Sequence, residues 1–182
     1  MSGDATGSDA VEGGPESDAG GTYTLLVELA APAAIDVGAL GEHRFNSGEY
    51  AYTGSALGAG GFARVDRHRR TARGDHDVRH WHVDHLLGHP DARIAGVVRS
   101  VGADVECSVA DRLPAGPVDG FGASDCDCES HLAAGGDGPA DLAALVCEAH
   151  EAAVAGIDGR VDVIGRSAEG VEDPADDASA TR

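Results

Sequence analysis

Residues 22–29, Thr22-Tyr23-Thr24-Leu25-Leu26-Val27-Glu28-Leu29, decide how the rest of the chain is read. The run is β-branched and aromatic at its start and apolar in its middle, which predicts a strand. A second strand follows at Glu49-Tyr50-Ala51-Tyr52-Thr53, stopped by Gly54. Between them, Val37 to Phe45 carries two glycines and few apolar residues, and reads as a short hairpin-like excursion. Gly58, Gly60 and Gly61 loosen the next loop, and a helix is expected from about Phe62 to Arg70. On it Phe62 and Val65 form the core edge, while Arg64 and His68, four apart, share a neighbouring face. Residues 80–88 predict a short helix and Arg93 to Val101 a strand. Asp104 then reads as the N-cap of a helix with a buried stripe of Val105, Val109 and Leu113, broken by Pro114. The expected fold is a small α/β domain, a mostly antiparallel sheet of about three strands flanked by helices.

Composition narrows the function classes. The chain has 182 residues, 32 acidic and 13 basic, and a formal charge of −19. A charge this negative is not the footprint of an ordinary basic nucleic-acid binder; with every basic residue an arginine, it suits a cytoplasm of molar salt. Gly, at 27 residues, is about twice its typical usage and belongs mainly to loops and tails. No apolar run approaches the roughly 18 residues of a membrane helix. The first twenty residues carry five acids and no base, the reverse of a secretory or transit leader, so a cytoplasmic protein is expected. Residues 1–20 and 167–182 read as disordered acidic tails, 21–133 as the folded domain, and 134–166 as an extension with a helix after Gly138.

Charge is unevenly placed. Residues 44–79 carry a net +3, from Arg44, Arg64, Arg67, Arg69, Arg70, Arg73 and Arg79 against four acids, while the remainder carries −22. One positive helix in an acidic chain predicts an anion-binding surface, with Arg67, Arg69, Arg70 and Arg73 as candidate contacts to a DNA backbone. The alternative is a solvated helix face with its own ion pairs.

The three tyrosines all lie on the first two strands. Gly21-Thr22-Tyr23 opens one strand and Tyr52-Thr53-Gly54 closes the other, followed by Arg64 and His68 on a helix and Glu106 on a later one. This order resembles the GIY-YIG endonuclease superfamily, with Thr22 and Thr53 where the family usually has an aliphatic residue. Further blocks resemble its Uri-like branch. These are Val37-Gly38-x-Leu40-Gly41, Gly54-Ser55-Ala56-Leu57-Gly58, His80-Trp81-His82-Val83-Asp84, Val105-Glu106-Cys107, and Gly120-Phe121-Gly122-x-Ser124-Asp125-Cys126-x-Cys128 with Ser130-His131-Leu132. The resemblance covers about residues 21–133.

It implies hydrolysis of a DNA phosphodiester, which needs an activated water, a cation on the phosphate and stabilisation of the departing oxygen. The resemblance gives Glu106 a single Mg²⁺ or Mn²⁺, hard ions that prefer oxygen. Arg64 would clamp a phosphate oxygen. Tyr23 or Tyr52 would take the water's proton, with His68 positioning or relaying it. The rival reading is a catalytically inactive nucleic-acid-binding or zinc-stabilised interaction module on the same fold.

Cys126-x-Cys128-x-x-His131 offers three soft ligands within six residues, with Cys107, His80, His82 or His85 available in space as a fourth. Zinc accepts such mixtures, although the C-x-C spacing is tighter than usual; a buried turn with free thiols is the alternative. Trp81 reads as a core residue, and His82 and Asp84 as tying loops together. The Gly58–Gly61 loop lacks the Gly-Lys-Ser/Thr ending of a phosphate loop, so no nucleotide cofactor is expected.

Overall fold

A computed structural model describes residues 20–136 and 141–165. The first strand, β1 (Gly21–Leu29), is central; the excursion after it is a hairpin of β2 (Ala33–Asp36) and β3 (Glu42–Phe45) around a 3₁₀ turn at Gly38–Leu40. Then come β4 (Gly48–Ser55), α1 (Ala63–Ala72), α2 (His82–Leu87), β5 (Ala92–Val101), α3 (Glu106–Ala110), β6 (Leu132–Ala134), α4 (Leu142–Val154) and β7 (Arg160–Ile164). The main sheet has five strands in the order β6-β4-β1-β5-β7, every pair antiparallel. The expected count of about three is therefore corrected to five. The two extra strands are edges: β6 is three residues, two of them alanine, and β7 is half-exposed.

Both faces of β1 are covered, which is why its sequence lacks a clean polar alternation. On one face Tyr23, Leu25, Val27 and Leu29, with Tyr50 and Tyr52 of β4, pack against Phe62 and Val65 of the α1 region and Val83, Leu86 and Leu87 of α2. On the other, Leu26, Ala51 and Val98 meet Leu142, Ala143 and Val146 of α4, the helix expected after Gly138. The expectations for residues 1–19 and 166–182 lie outside the described residues. Among those described, no helix is long and apolar enough to cross a membrane.

Two local expectations are corrected. Asp104 is exposed and does not cap α3; the capping position is Val105, and the helix ends at Ala110 instead of reaching Leu113. The hydroxyl of Thr22 holds the start of α3 instead, accepting from the Val105 N–H at 3.0 Å and donating to the Ala103 carbonyl at 3.1 Å. Trp81 is not in the core: it is 37% exposed, and two guanidinium groups lie over its ring, Arg67 at 3.8 Å and Arg64 at 4.9 Å from the centroid.

Under α4, a fully buried polar group replaces apolar packing. Thr24 Oγ1 contacts Thr53 Oγ1 at 2.9 Å and His150 Nε2 at 2.8 Å, and His150 Nδ1 contacts Ser100 Oγ at 2.7 Å. Burial holds the His150 imidazole down at about 4, below the ordinary value of about 6.5. Between those values the unfolded chain takes up a proton that the folded chain refuses. Its contribution is complete above pH 6.5 and is lost as pH falls toward 4, a change of about 3 kcal/mol. Urea unfolding of His150→Gln should show a flatter pH dependence across that window than the native chain; equal slopes would assign the acid sensitivity elsewhere.

Candidate active site

The register of the two central strands sets Tyr23 opposite Gly54 and Leu25 opposite Tyr52, so both tyrosine rings project from one face. The ring centroids are 6.4 Å apart. Gly54 is required by contact: a Cβ there would stand 2.6 Å from Tyr23 Oη and 3.1 Å from Tyr52 Cε1. On the far side of Tyr52, Gly122 has φ +75°, and a Cβ would come within 2.8 Å of Tyr52 Cε2. Glycines from two distant segments thus leave the space that the rings occupy.

Behind Tyr23 lies a hydrogen-bonded chain of buried groups. Tyr23 Oη meets His68 Nε2 at 2.9 Å, and His68 Nδ1 meets Asp84 Oδ1 at 3.2 Å. Asp84, fully buried at the start of α2, also accepts both arms of the Arg67 fork at 3.0 and 3.1 Å. The backbone N–H groups of His80 and Trp81 add 2.9 and 3.1 Å contacts to its Oδ2. Burial opposes ionisation of Asp84, but these donors outweigh it and hold the carboxyl well below the usual range. His68 is shifted down by burial, against the pull of Asp84. A neutral imidazole beside a carboxylate gives its Nδ1 proton to Asp84, leaving the Nε2 lone pair for the Tyr23 hydroxyl.

Arg67 is therefore corrected as a DNA contact, because its fork is spent on Asp84 and its face on Trp81, and its side chain is only 14% exposed. Arg69 and Arg73 pair with the exposed Asp66 and Asp75 at 3.1 and 3.4 Å, contacts worth roughly 0–1 kcal/mol and easily exchanged for phosphate. Arg70 is exposed, with no carboxylate partner among the described residues.

In front of the tyrosines is a cleft of about 160 Å³, lined by Tyr52, Ser55, Arg64, His82, Glu106 and Asp125 among others. Arg64 donates to the Ser55 carbonyl at 2.9 Å and keeps its other donors toward the cleft and Trp81. His82 Nδ1 accepts from the Gly122 N–H at 3.0 Å, which seats the 120s loop against Tyr52; burial keeps its imidazole shifted down, hence neutral. Glu106 stands in the first turn of α3, with Oε1 3.1 Å from His131 Nδ1. The structure thus gathers Tyr52, Arg64 and Glu106 at one cleft, with Tyr23 and His68 joined behind it. Sequence reading gave no cleft role to Asp84, His82 or Asp125. The sequence signal for Asp84 is its place in the His80–Asp84 block.

The soft-ligand group also closes in space. Ligand atoms of Cys107, Cys126, Cys128 and His131 lie within 4.8 Å of one another, so the fourth member is Cys107 rather than His80, His82 or His85. Four such donors can hold a metal ion.

No curated protein and no solved structure matches the chain. A family model does, over residues 22–155, from the first residues of β1 to the end of α4. That span includes both tyrosines, Arg64, His68, Asp84, Glu106 and the whole cysteine–histidine group, and the chain belongs to the family described as Domain of unknown function DUF123.

Proposed function

We propose that this protein is a metal-dependent endonuclease of the GIY-YIG type, related to the Uri-like branch, that hydrolyses DNA phosphodiesters. The observation that carries the reading is the convergence of Tyr52, Arg64 and Glu106, from three separate elements, on one polar cleft backed by the Tyr23–His68 hydrogen bond. A pure binding module needs no carboxylate beside a phosphate.

Both phenols are raised by burial, so neither is a phenolate at neutral pH. Tyr23 solves this through its partner: it can accept a proton from the attacking water while passing its own to His68 Nε2. The resulting imidazolium is stabilised by Asp84, the logic of a hydroxyl–imidazole–carboxylate chain. Tyr52 lines the cleft and orients the water or the phosphate. Arg64 neutralises charge as it grows on the phosphate oxygens.

The cleft's donors fit a hard divalent ion. Glu106 and Asp125 line it, and Mg²⁺ commonly takes only one or two protein carboxylates, with water and substrate phosphate completing its shell. Such an ion would supply Lewis-acid stabilisation of the phosphate and the leaving oxygen. Half-buried Arg69 and exposed Arg70 and Arg73 supply the DNA-backbone contacts.

Arg64→Ala should cut single-turnover cleavage at saturating protein on the order of 10²-fold or more. Its effect on DNA affinity should be no larger than that of Arg70→Ala, which should weaken binding alone. Arg64→Lys should also be damaging, because a point charge does not reproduce the fork. If Arg64→Ala and Arg70→Ala lower affinity equally and neither changes cleavage, the chain is a binding module.

A further inference from the structure

The cysteine–histidine group has the donor types and spacing of a tetrahedral zinc site. With metal–sulfur bonds of about 2.3 Å, tetrahedral sulfurs sit about 3.8 Å apart, and a sulfur–nitrogen edge is about 3.6 Å. Here the Cys126 Sγ to His131 Nε2 distance is 3.4 Å, and no pair in the group exceeds 4.8 Å. Small inward rotations of the side chains would close it on an ion.

The histidine is already prepared. Its backbone is fixed on both sides, His131 N–H to the Phe121 carbonyl at 2.8 Å and Thr53 N–H to the His131 carbonyl at 2.9 Å. Nδ1 stands 3.1 Å from Glu106 Oε1 and Nε2 3.4 Å from Cys126 Sγ, so the neutral ring that a metal binds would donate through Nδ1 to the carboxylate and turn its Nε2 lone pair to the sulfur side. A carboxylate on the outer nitrogen of a metal-bound imidazole is the usual arrangement for fixing ring orientation and raising ligand basicity. Three thiolates and an imidazole select zinc over magnesium or calcium.

We propose that Cys107, Cys126, Cys128 and His131 bind one Zn²⁺ tetrahedrally, and that this ion holds Glu106 in place through His131. The ion ties α3 to the loop that carries Gly122 and Asp125, two segments that both border the cleft beside Tyr52. Glu106 is a positioning residue for the zinc site. Its service to a hard ion in the cleft rests on the nuclease reading, but the zinc site does not.

The test uses the full chain, stripped of metal under reducing conditions and titrated with Co²⁺ and then Zn²⁺. The expected result is one equivalent of Co²⁺ with tetrahedral visible bands and a thiolate charge-transfer band, all displaced by Zn²⁺. Cys126→Ser and Cys128→Ser should lose the spectrum, while Cys147→Ser, outside the group, should keep it. Glu106→Gln should still bind one ion, with affinity lower by about 10–100-fold. Absence of a thiolate band in the native chain, or equal loss in Cys147→Ser, would overturn the site. An unchanged affinity in Glu106→Gln would overturn its link to the cleft. Stoichiometric zinc in a protein that never cleaves DNA would sink only the nuclease reading, and cleavage by a protein that binds no zinc would sink only this one.

Discussion

Tyr23→Phe should lower single-turnover DNA cleavage by about 10²–10⁴-fold, the range for losing a positioned proton acceptor, with DNA affinity unchanged. The substitution keeps the ring that fills the space beside Gly54 and removes only the hydroxyl 2.9 Å from His68. Fold and binding surface are therefore retained, and the stability cost should stay near the 1–3 kcal/mol of an unsatisfied imidazole nitrogen. Tyr52→Phe should be milder, because Tyr52 orients groups in the cleft and has no base behind it. If Tyr52→Phe abolishes cleavage and Tyr23→Phe does not, the proton acceptor is Tyr52 and the chain through His68 is structural.

The largest stability effect should come from Asp84→Asn. The native carboxylate is fully buried and receives Arg67, His68 and two backbone N–H groups. An amide keeps one acceptor oxygen but leaves the Arg67 guanidinium without a counter-charge, so the expected cost is about 3–5 kcal/mol. Asp75→Asn, at an exposed pair with Arg73, should cost at most about 1 kcal/mol. Urea denaturation in high KCl separates them, since salt screens the exposed pair and not the buried one. A loss below about 1 kcal/mol for Asp84→Asn would mean that the pair does not organise the site.

The parts of the fold legible in the sequence are those whose residues carry strong local signals. β1, β4 and β5 are β-branched, aromatic or apolar runs and each is a strand, although β4 continues through the Gly54 expected to stop it. β6 is two alanines after one leucine, too short to show a period, and its pairing to Tyr50–Tyr52 is decided by tertiary contact. β7 alternates, but Val163 is exposed and the strand lies at the sheet edge, so its signal is weak.

Site residues divide in the same way. Tyr23, Tyr52, Arg64 and Glu106 could be picked out by their order along the chain. Arg67 was assigned to phosphate because helical spacing shows which face a residue occupies and not what arrives there from elsewhere. Asp84, seventeen positions later, takes its fork. Trp81 misleads for a related reason: a large aromatic usually implies core, but here two arginines cover it at the surface. Cys107 follows Glu106 directly, and no spacing rule ties it to Cys126 and Cys128; only the packing of α3 against their loop does. Thr22 and Thr53 look like departures at aliphatic positions, yet each hydroxyl is used, one on the start of α3 and one in the network under α4.

DNA cleavage at the proposed site is read most directly as strand scission by the native chain. Supercoiled plasmid and a branched duplex are incubated with it in molar KCl, where a charge of −19 is screened, with Mg²⁺ or Mn²⁺ and, in parallel, with chelator. Nicked or linear product is expected only with the divalent ion, and should be lost in Glu106→Gln protein that still binds DNA. Intact DNA under every metal condition, with binding preserved, would contradict the nuclease reading.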